Sequence, residues 1–186
     1  MNRTTRTITE CAVLIAIGTI LAQIKLYPMP NGGSVTLVSM LPFLLISYRH
    51  PTKWALLSGF ANAMLQMALG GVYPPPAGTF LALAGEILLD YVLAYLCLSF
   101  AGSFSKLFSK KQTAASVIAG SVLAMLLRFI CSFLSGFLIW GSLTQSGWAA
   151  VIYSLSYNAS YMIPDILLTA VAEAAMFKIY PKAFSC

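Results

Sequence analysis

The sequence predicts an all-α fold: a bundle of six transmembrane helices with both termini in the cytoplasm. Three observations carry that expectation. Of 186 residues, 59% are hydrophobic and only 9% are charged, with a mean hydropathy of +0.84, whereas a soluble domain carries roughly 25% charge. Apolar runs recur along the whole chain between Gly/Pro-rich or basic breaks. The cations behind the formal charge of +6 alternate: Arg3, Arg6, Arg49, Lys53, Lys106, Lys110, Lys111, Lys178 and Lys182 occupy every second break, and Lys25 is the one cation of the others. The positive-inside rule places that basic set in the cytoplasm, so the number of spans is even. Segments of ~20 apolar residues with short loops fit about six times into this length. One integral membrane domain, residues 1–186, is the result.

Span one is expected over residues 8–26, following MNRTTRTITE. No A-x-A cleavage site follows it, so it reads as a retained helix rather than a signal peptide. YPMPNGGSV must then turn on the outer side. Span two, residues 36–48, is short and contains Pro42, and RHPTK makes the inner turn. Span three covers residues 54–69, followed by the outward loop GGVYPPPAG. Span four covers residues 80–100 and leads into the basic inner loop that ends at Gln112. Span five covers residues 114–139, WGSLTQSGW is the third outward loop, and span six covers residues 149–177. No internal repeat is visible, which argues against the inverted-repeat design of many secondary transporters.

A basic net charge could suggest nucleic acid, but the placement of nine of the cations in membrane-flanking loops argues against that reading. Cys11, Cys97 and Cys131 lie in apolar runs and Cys186 ends the chain. No CxxC or Cys/His cluster exists, so no metal or cofactor is expected, and the thiols read as small hydrophobes. One histidine, His50, in an inner turn offers no Ser/His/Asp machinery, so the chain is not expected to be an enzyme.

Polar residues inside apolar spans cost several kcal/mol when unsatisfied, and therefore face protein or a cavity. They concentrate in spans four to six. Glu86 and Asp90 are four apart on one helix face, so Asp90 needs either a partner such as Arg128 or a cationic ligand. Glu10, near the inner interface, is expected to pair with Arg3 or Arg6. Tyr157 and Tyr161 share a face, while Tyr153 and Asn158 are five apart and fit one regular face poorly. Ser132 and Gly136 make a small-residue groove on span five, and Ala12 and Ala16 make another on span one. Close helix packing explains such spacing as readily as function does. The outward loops carry Tyr27, Tyr73, Trp140 and Trp148, which fit either an interfacial aromatic belt or a cover over the outer mouth.

The motifs P-NGGSVTLVSMLP in the first outward loop, LGGVY at residues 69–73, LDY at 89–91, SGFLIWG at 135–141 and YSLSYNASYMIP at 153–164 occur in an order that resembles the thiamine-specific substrate-binding (S) components of energy-coupling factor transporters, the ThiT/YuaJ family. The resemblance spans essentially the whole chain. It implies the S-component fold and a multi-pass subunit of a prokaryotic plasma membrane that captures thiamine, or a related pyrimidine, thiazole or B6-type molecule, on the outer side. It further implies no ATPase activity of its own, with a membrane coupling subunit and two ATP-binding subunits as partners. Residue by residue, it places Tyr73, Asp90, Tyr91, Ser132, Gly136, Trp140, Tyr153 and Asn158 at the pocket, where Glu86 is expected to join them, and it makes Ala12 and Ala16 the docking strip. Two positions depart from the family's pattern: Ser132 stands where a His is usual, and Asp90 where a Glu is usual. The rival reading is a stand-alone proton- or ion-coupled carrier of a small cationic aromatic substrate, using Glu86 and Asp90. A ligand-free scaffold is hard to square with the polar residues of spans four to six.

Overall fold

The computed structural model describes residues 2–29, 32–141 and 147–185, and it is mostly helical. Helix α1 (Arg3–Gln23) leads into a two-stranded antiparallel hairpin, β1 (Lys25–Pro28) and β2 (Ser34–Thr36), in which Tyr27 faces Val35. There follow α2 (Leu41–Arg49), α3 (Thr52–Gly70), α4 (Phe80–Leu98), α5 (Ala101–Phe108), α6 (Ala114–Gly141) and α7 (Trp148–Ile179), and a 3₁₀ turn over Pro181–Phe184. Helix α4 is π-helical over Ile87–Leu93 and α6 over Gly136–Gly141. Helices α1, α4 and α6 are long and apolar enough to cross a membrane.

Local chemistry accounts for the boundaries. Thr113 and Ser116 form a capping box at the start of α6, each hydroxyl accepting from the other's backbone N–H at 3.2 and 2.9 Å. Thr79 Oγ1 accepts from Ala82 N at the start of α4. Pro42 lies in the first turn of α2 rather than inside a longer helix, where its missing N–H costs nothing.

That placement corrects the sequence reading of span two. Helix α2 has nine residues, about 14 Å at 1.5 Å per residue, roughly half a hydrocarbon core, and Thr36 belongs to the hairpin. Residues from Pro42 to Tyr48 are all buried, Leu44 and Ile46 almost completely. An all-round apolar helix is a buried one, in a protein core or in the middle of a membrane bundle, so what the structure corrects is the length of this segment and its entry through the hairpin. A second correction concerns the basic inner loop, which contains α5, with Ala101, Gly102 and Ser105 buried.

The core gathers around α2 at one end of the molecule, where Phe43, Leu44, Ile46, Leu98, Val117 and Phe184 are buried. The two ends of the chain meet there too. Glu10 on α1 pairs with Arg49 and lies 3.5 Å from His50, so its expected pairing with Arg3 or Arg6 is not the one formed. Arg49 also donates to Ala183 O at 3.2 Å. Glu173 on α7, fully buried, accepts from Ser121 on α6, whose hydroxyl meets Tyr48 on α2 at 2.8 Å. With Glu10 and Glu173 thus engaged in ties between helices, three of the five carboxylates remain for the opposite end.

Candidate ligand-binding site

At that opposite end the helices enclose a cavity of about 220 Å³, and the hairpin joins its wall. Helix α4 contributes Glu86, Asp90, Tyr91 and Tyr95; α6 contributes Arg128, Ser132, Gly136 and Trp140; α7 contributes Tyr153, Tyr157, Asn158, Tyr161 and Asp165. Lys25, Thr36, Gln66 and Tyr73 come from the hairpin, α3 and the loop after it. The structure therefore brings together at one cavity all nine residues expected at the pocket: Tyr73, Glu86, Asp90, Tyr91, Ser132, Gly136, Trp140, Tyr153 and Asn158.

Helix geometry explains how each wall is made. On α7, Tyr153, Tyr157 and Tyr161 form one row at four-residue spacing, and Ser154, Asn158 and Asp165 form the adjacent row. The wall is two rows wide, so Tyr153 and Asn158 reach the same cavity without sharing a row. On α4 the consecutive residues Asp90 and Tyr91 both line the cavity, within the π-helical stretch, whose wider turn presents one more residue to the same side. Gly136 sits where α6 meets α7: a Cβ there would come within 2.4 Å of Ser154 Oγ and 3.2 Å of Asn158 Nδ2. Only glycine permits that approach.

The polar groups divide into engaged and open ones. Asn158 is held at both ends of its amide: Nδ2 donates to Ser154 O at 2.9 Å and Ser132 O at 3.3 Å, and Oδ1 accepts from Tyr161 at 2.8 Å. Asp165 accepts from Thr36 N and Thr36 Oγ1 at 3.2 and 3.1 Å, tying β2 to α7. Gly33 N donates to Tyr157 OH at 3.1 Å, and a Cβ at Gly33 would press on Tyr157 and Tyr161, so the hairpin turn rests directly on the aromatic row. Tyr91 donates to Gly71 O at 3.1 Å. Glu86 is only 3% exposed, and its Oε2 finds no hydrogen-bond partner among the described residues. Arg128 lies over the Tyr95 ring at 4.9 Å and donates to Met40 Sδ. Among the described residues the ion pair formed is Glu10 with Arg49, with His50 3.5 Å from the same carboxylate, and an Asp90–Arg128 pair within 4 Å is not formed.

Electrostatically, Glu86, Asp90 and Asp165 outnumber Lys25 and Arg128 by one. Seven aromatic rings surround them: Tyr73, Tyr91, Tyr95, Trp140, Tyr153, Tyr157 and Tyr161. Tyr153 and Tyr157 stack at 6.2 Å, and Tyr161 meets Tyr157 edge-on at 5.7 Å. Such a chamber suits a flat organic cation, which gains from ring faces and from a carboxylate in excess of the cavity's own cations. Lys25, Tyr95, Arg128, Tyr157, Tyr161 and Asp165 were not among the expected pocket residues. The four-residue spacing from Tyr153 through Tyr157 to Tyr161 was the signal available for two of them.

Comparison with known proteins fits this geometry. Residues 8–185 match the family described as Thiamine transporter protein (Thia_YuaJ). The chain is 30% identical over 182 residues to the thiamine transporter ThiT of Bacillus subtilis (strain 168), covering 93% of this chain and 91% of that one. Its fold matches a solved structure of ThiT from Listeria monocytogenes with a TM-score of 0.76 over 100% of both chains, at 22% identity. A membrane protein by its helices and by its relatives, the chain belongs to the Thia_YuaJ family of thiamine transporter proteins.

Proposed function

We propose that this chain captures thiamine on the outer side of the plasma membrane, as the S component of an importer driven by a separate coupling subunit and two ATP-binding subunits. The observation that carries the substrate is the aromatic chamber with one more acid than base, complementary to a cation that joins a thiazolium ring to an aminopyrimidine. Glu86 and Asp90 face the positive ring in this reading, the tyrosine row and Trp140 stack on the flat surfaces, and Ser132, Tyr91 and Tyr73 complete the wall. No residue set suggests ATP hydrolysis, which is assigned to the partners.

Titration calorimetry on the purified chain tests the substrate. Heat and quenching of Trp140 or Trp148 fluorescence are expected at micromolar thiamine; their absence, with a response to a related pyrimidine, thiazole or pyridine, would reassign the ligand. The six-span topology with both termini inside is the orientation that puts the basic residues in the cytoplasm. Lys110→Cys, in a Cys186→Ser background, should react with an impermeant maleimide only in inside-out vesicles, and labelling of intact cells would reverse the topology.

One observation favours the second reading, a stand-alone proton- or ion-coupled carrier: the buried, unpartnered Oε2 of Glu86 beside Asp90. Uptake by proteoliposomes holding this chain alone, driven by a pH gradient and lost in Asp90→Asn, would establish that reading over the first.

A further inference from the structure

A second concavity, of about 420 Å³, lies at the end where the two termini meet. Its floor is apolar: Val13 and Leu14 on α1, Leu45 on α2 and Met176 on α7. Its rim is basic and interfacial, with Arg6, Arg49 and Tyr180. Arg49 is fixed there by its ion pair with Glu10 and by its bonds to the carbonyls of Lys182 and Ala183, so its guanidinium is held in position before any ligand arrives. Glu10 is the one acid of the groove, and it is already engaged with Arg49 and His50. Arg6 is exposed beside it.

We propose that this groove binds one anionic phospholipid of the inner leaflet, with its phosphate at Arg6 and Arg49 and an acyl chain along Val13, Leu14, Leu45 and Met176. The charge pattern selects this occupant. An apolar trough between membrane helices that ends in two arginines and a tyrosine matches a lipid with a charged head, because the headgroup region supplies the anion at the depth where the rim lies. A zwitterionic lipid would bring the same phosphate but also a cationic head beside two arginines, which lowers its match to the rim. The groove abuts the proposed docking strip, since Val13 lies about 60° and Thr9 about 20° around α1 from Ala16, so a lipid here borders a partner seated on Ala12 and Ala16. The inference rests on the orientation proposed above but not on the identity of the ligand in the cavity.

Native mass spectrometry of the full chain in detergent, supplied with phosphatidylglycerol or phosphatidylcholine, tests it without reference to orientation or to thiamine. One retained phosphatidylglycerol is expected, and Arg6→Gln should lower the preference over phosphatidylcholine about five-fold, the scale of one basic residue at an anionic surface. Val13→Trp, which fills the trough and leaves the charges intact, should remove the bound lipid. Arg49→Gln is avoided because it also breaks the Glu10 pair. Equal retention of both lipids, or an unaltered preference in Arg6→Gln, overturns the proposal. So does displacement by millimolar glycerol 3-phosphate, which would make this a phosphate site without a chain. Crosslinking of Val13→Cys to the coupling subunit in an assembled complex, in place of retained lipid, would give the groove to a protein partner.

Discussion

Asp90 on α4 and Ser132 on α6 line the same cavity, and the proposed function asks different things of them. Asp90 offers a carboxylate that forms no ion pair among the described residues, whereas Ser132 offers a neutral hydroxyl, its backbone carbonyl serving Asn158 in either variant. A hydrogen bond to a charged group is worth about 1.5–3 kcal/mol and a neutral one about 1 kcal/mol. Asp90→Ala should therefore cost clearly more thiamine affinity than Ser132→Ala, read by titration calorimetry. Equal, small losses would make Asp90 a structural residue. Asn158 differs in kind. Both ends of its amide are spent inside the protein, so its contribution to the ligand is to fix Tyr161 and Ser132 in place as much as to touch anything directly. Gly136 is similar: its missing Cβ lets α7 come close enough for that network to form.

At the scale of elements, the apolar runs and the Gly/Pro breaks were legible because lipid-facing helices need long stretches of one composition. The pocket was legible because polar groups in such helices are few and costly. What was hidden depends on partners distant in sequence. The hairpin exists because Thr36 reaches Asp165 and Gly33 reaches Tyr157, 129 and 124 residues away. The half-length of α2 follows from Ser34–Thr36 being drawn into the hairpin and from Pro42 standing in the first turn, and a hydropathy window sees neither. The π-helical stretch of α4 changes which residues share a face, and nothing in the local sequence marks it. Element-scale reasoning also makes the docking strip testable. Ala12 and Ala16 are both exposed on α1, and neither lines the cavity. Added bulk there should hold a partner helix away without reaching the ligand. Ala12→Trp or Ala16→Trp should abolish partner-driven uptake while thiamine binding by the isolated chain stays unchanged. Joint loss of both would make the strip an internal contact, and loss of neither would place the partner surface elsewhere.

The whole molecule is divided by task, with the ligand chamber at one end and a polar tie between chain ends at the other. That tie joins α1, the turn after α2 and the C-terminal segment through Glu10, Arg49, His50 and Ala183. His50 stands in the turn outside the membrane-spanning helices. Burial pushes its pKa below the usual histidine range; Glu10 opposes that shift and Arg49 adds to it. The folded protein therefore holds His50 neutral at a pH where the unfolded chain, with a pKa near 6.5, already binds a proton. Between those two values the unfolded state carries more protons, so stability rises with pH through that window and falls as the pH drops below about 6.5. Thermal unfolding in detergent isolates this contribution as a difference between two chains: the midpoint of His50→Gln relative to the wild type should be higher at pH 5.5 than at pH 7.5. The variant keeps a polar side chain in the turn and removes only the titration. An offset between the two chains that does not change with pH would remove His50 from the pH response, and a variant that loses ground to the wild type at pH 5.5 would mean that Glu10 outweighs burial at His50.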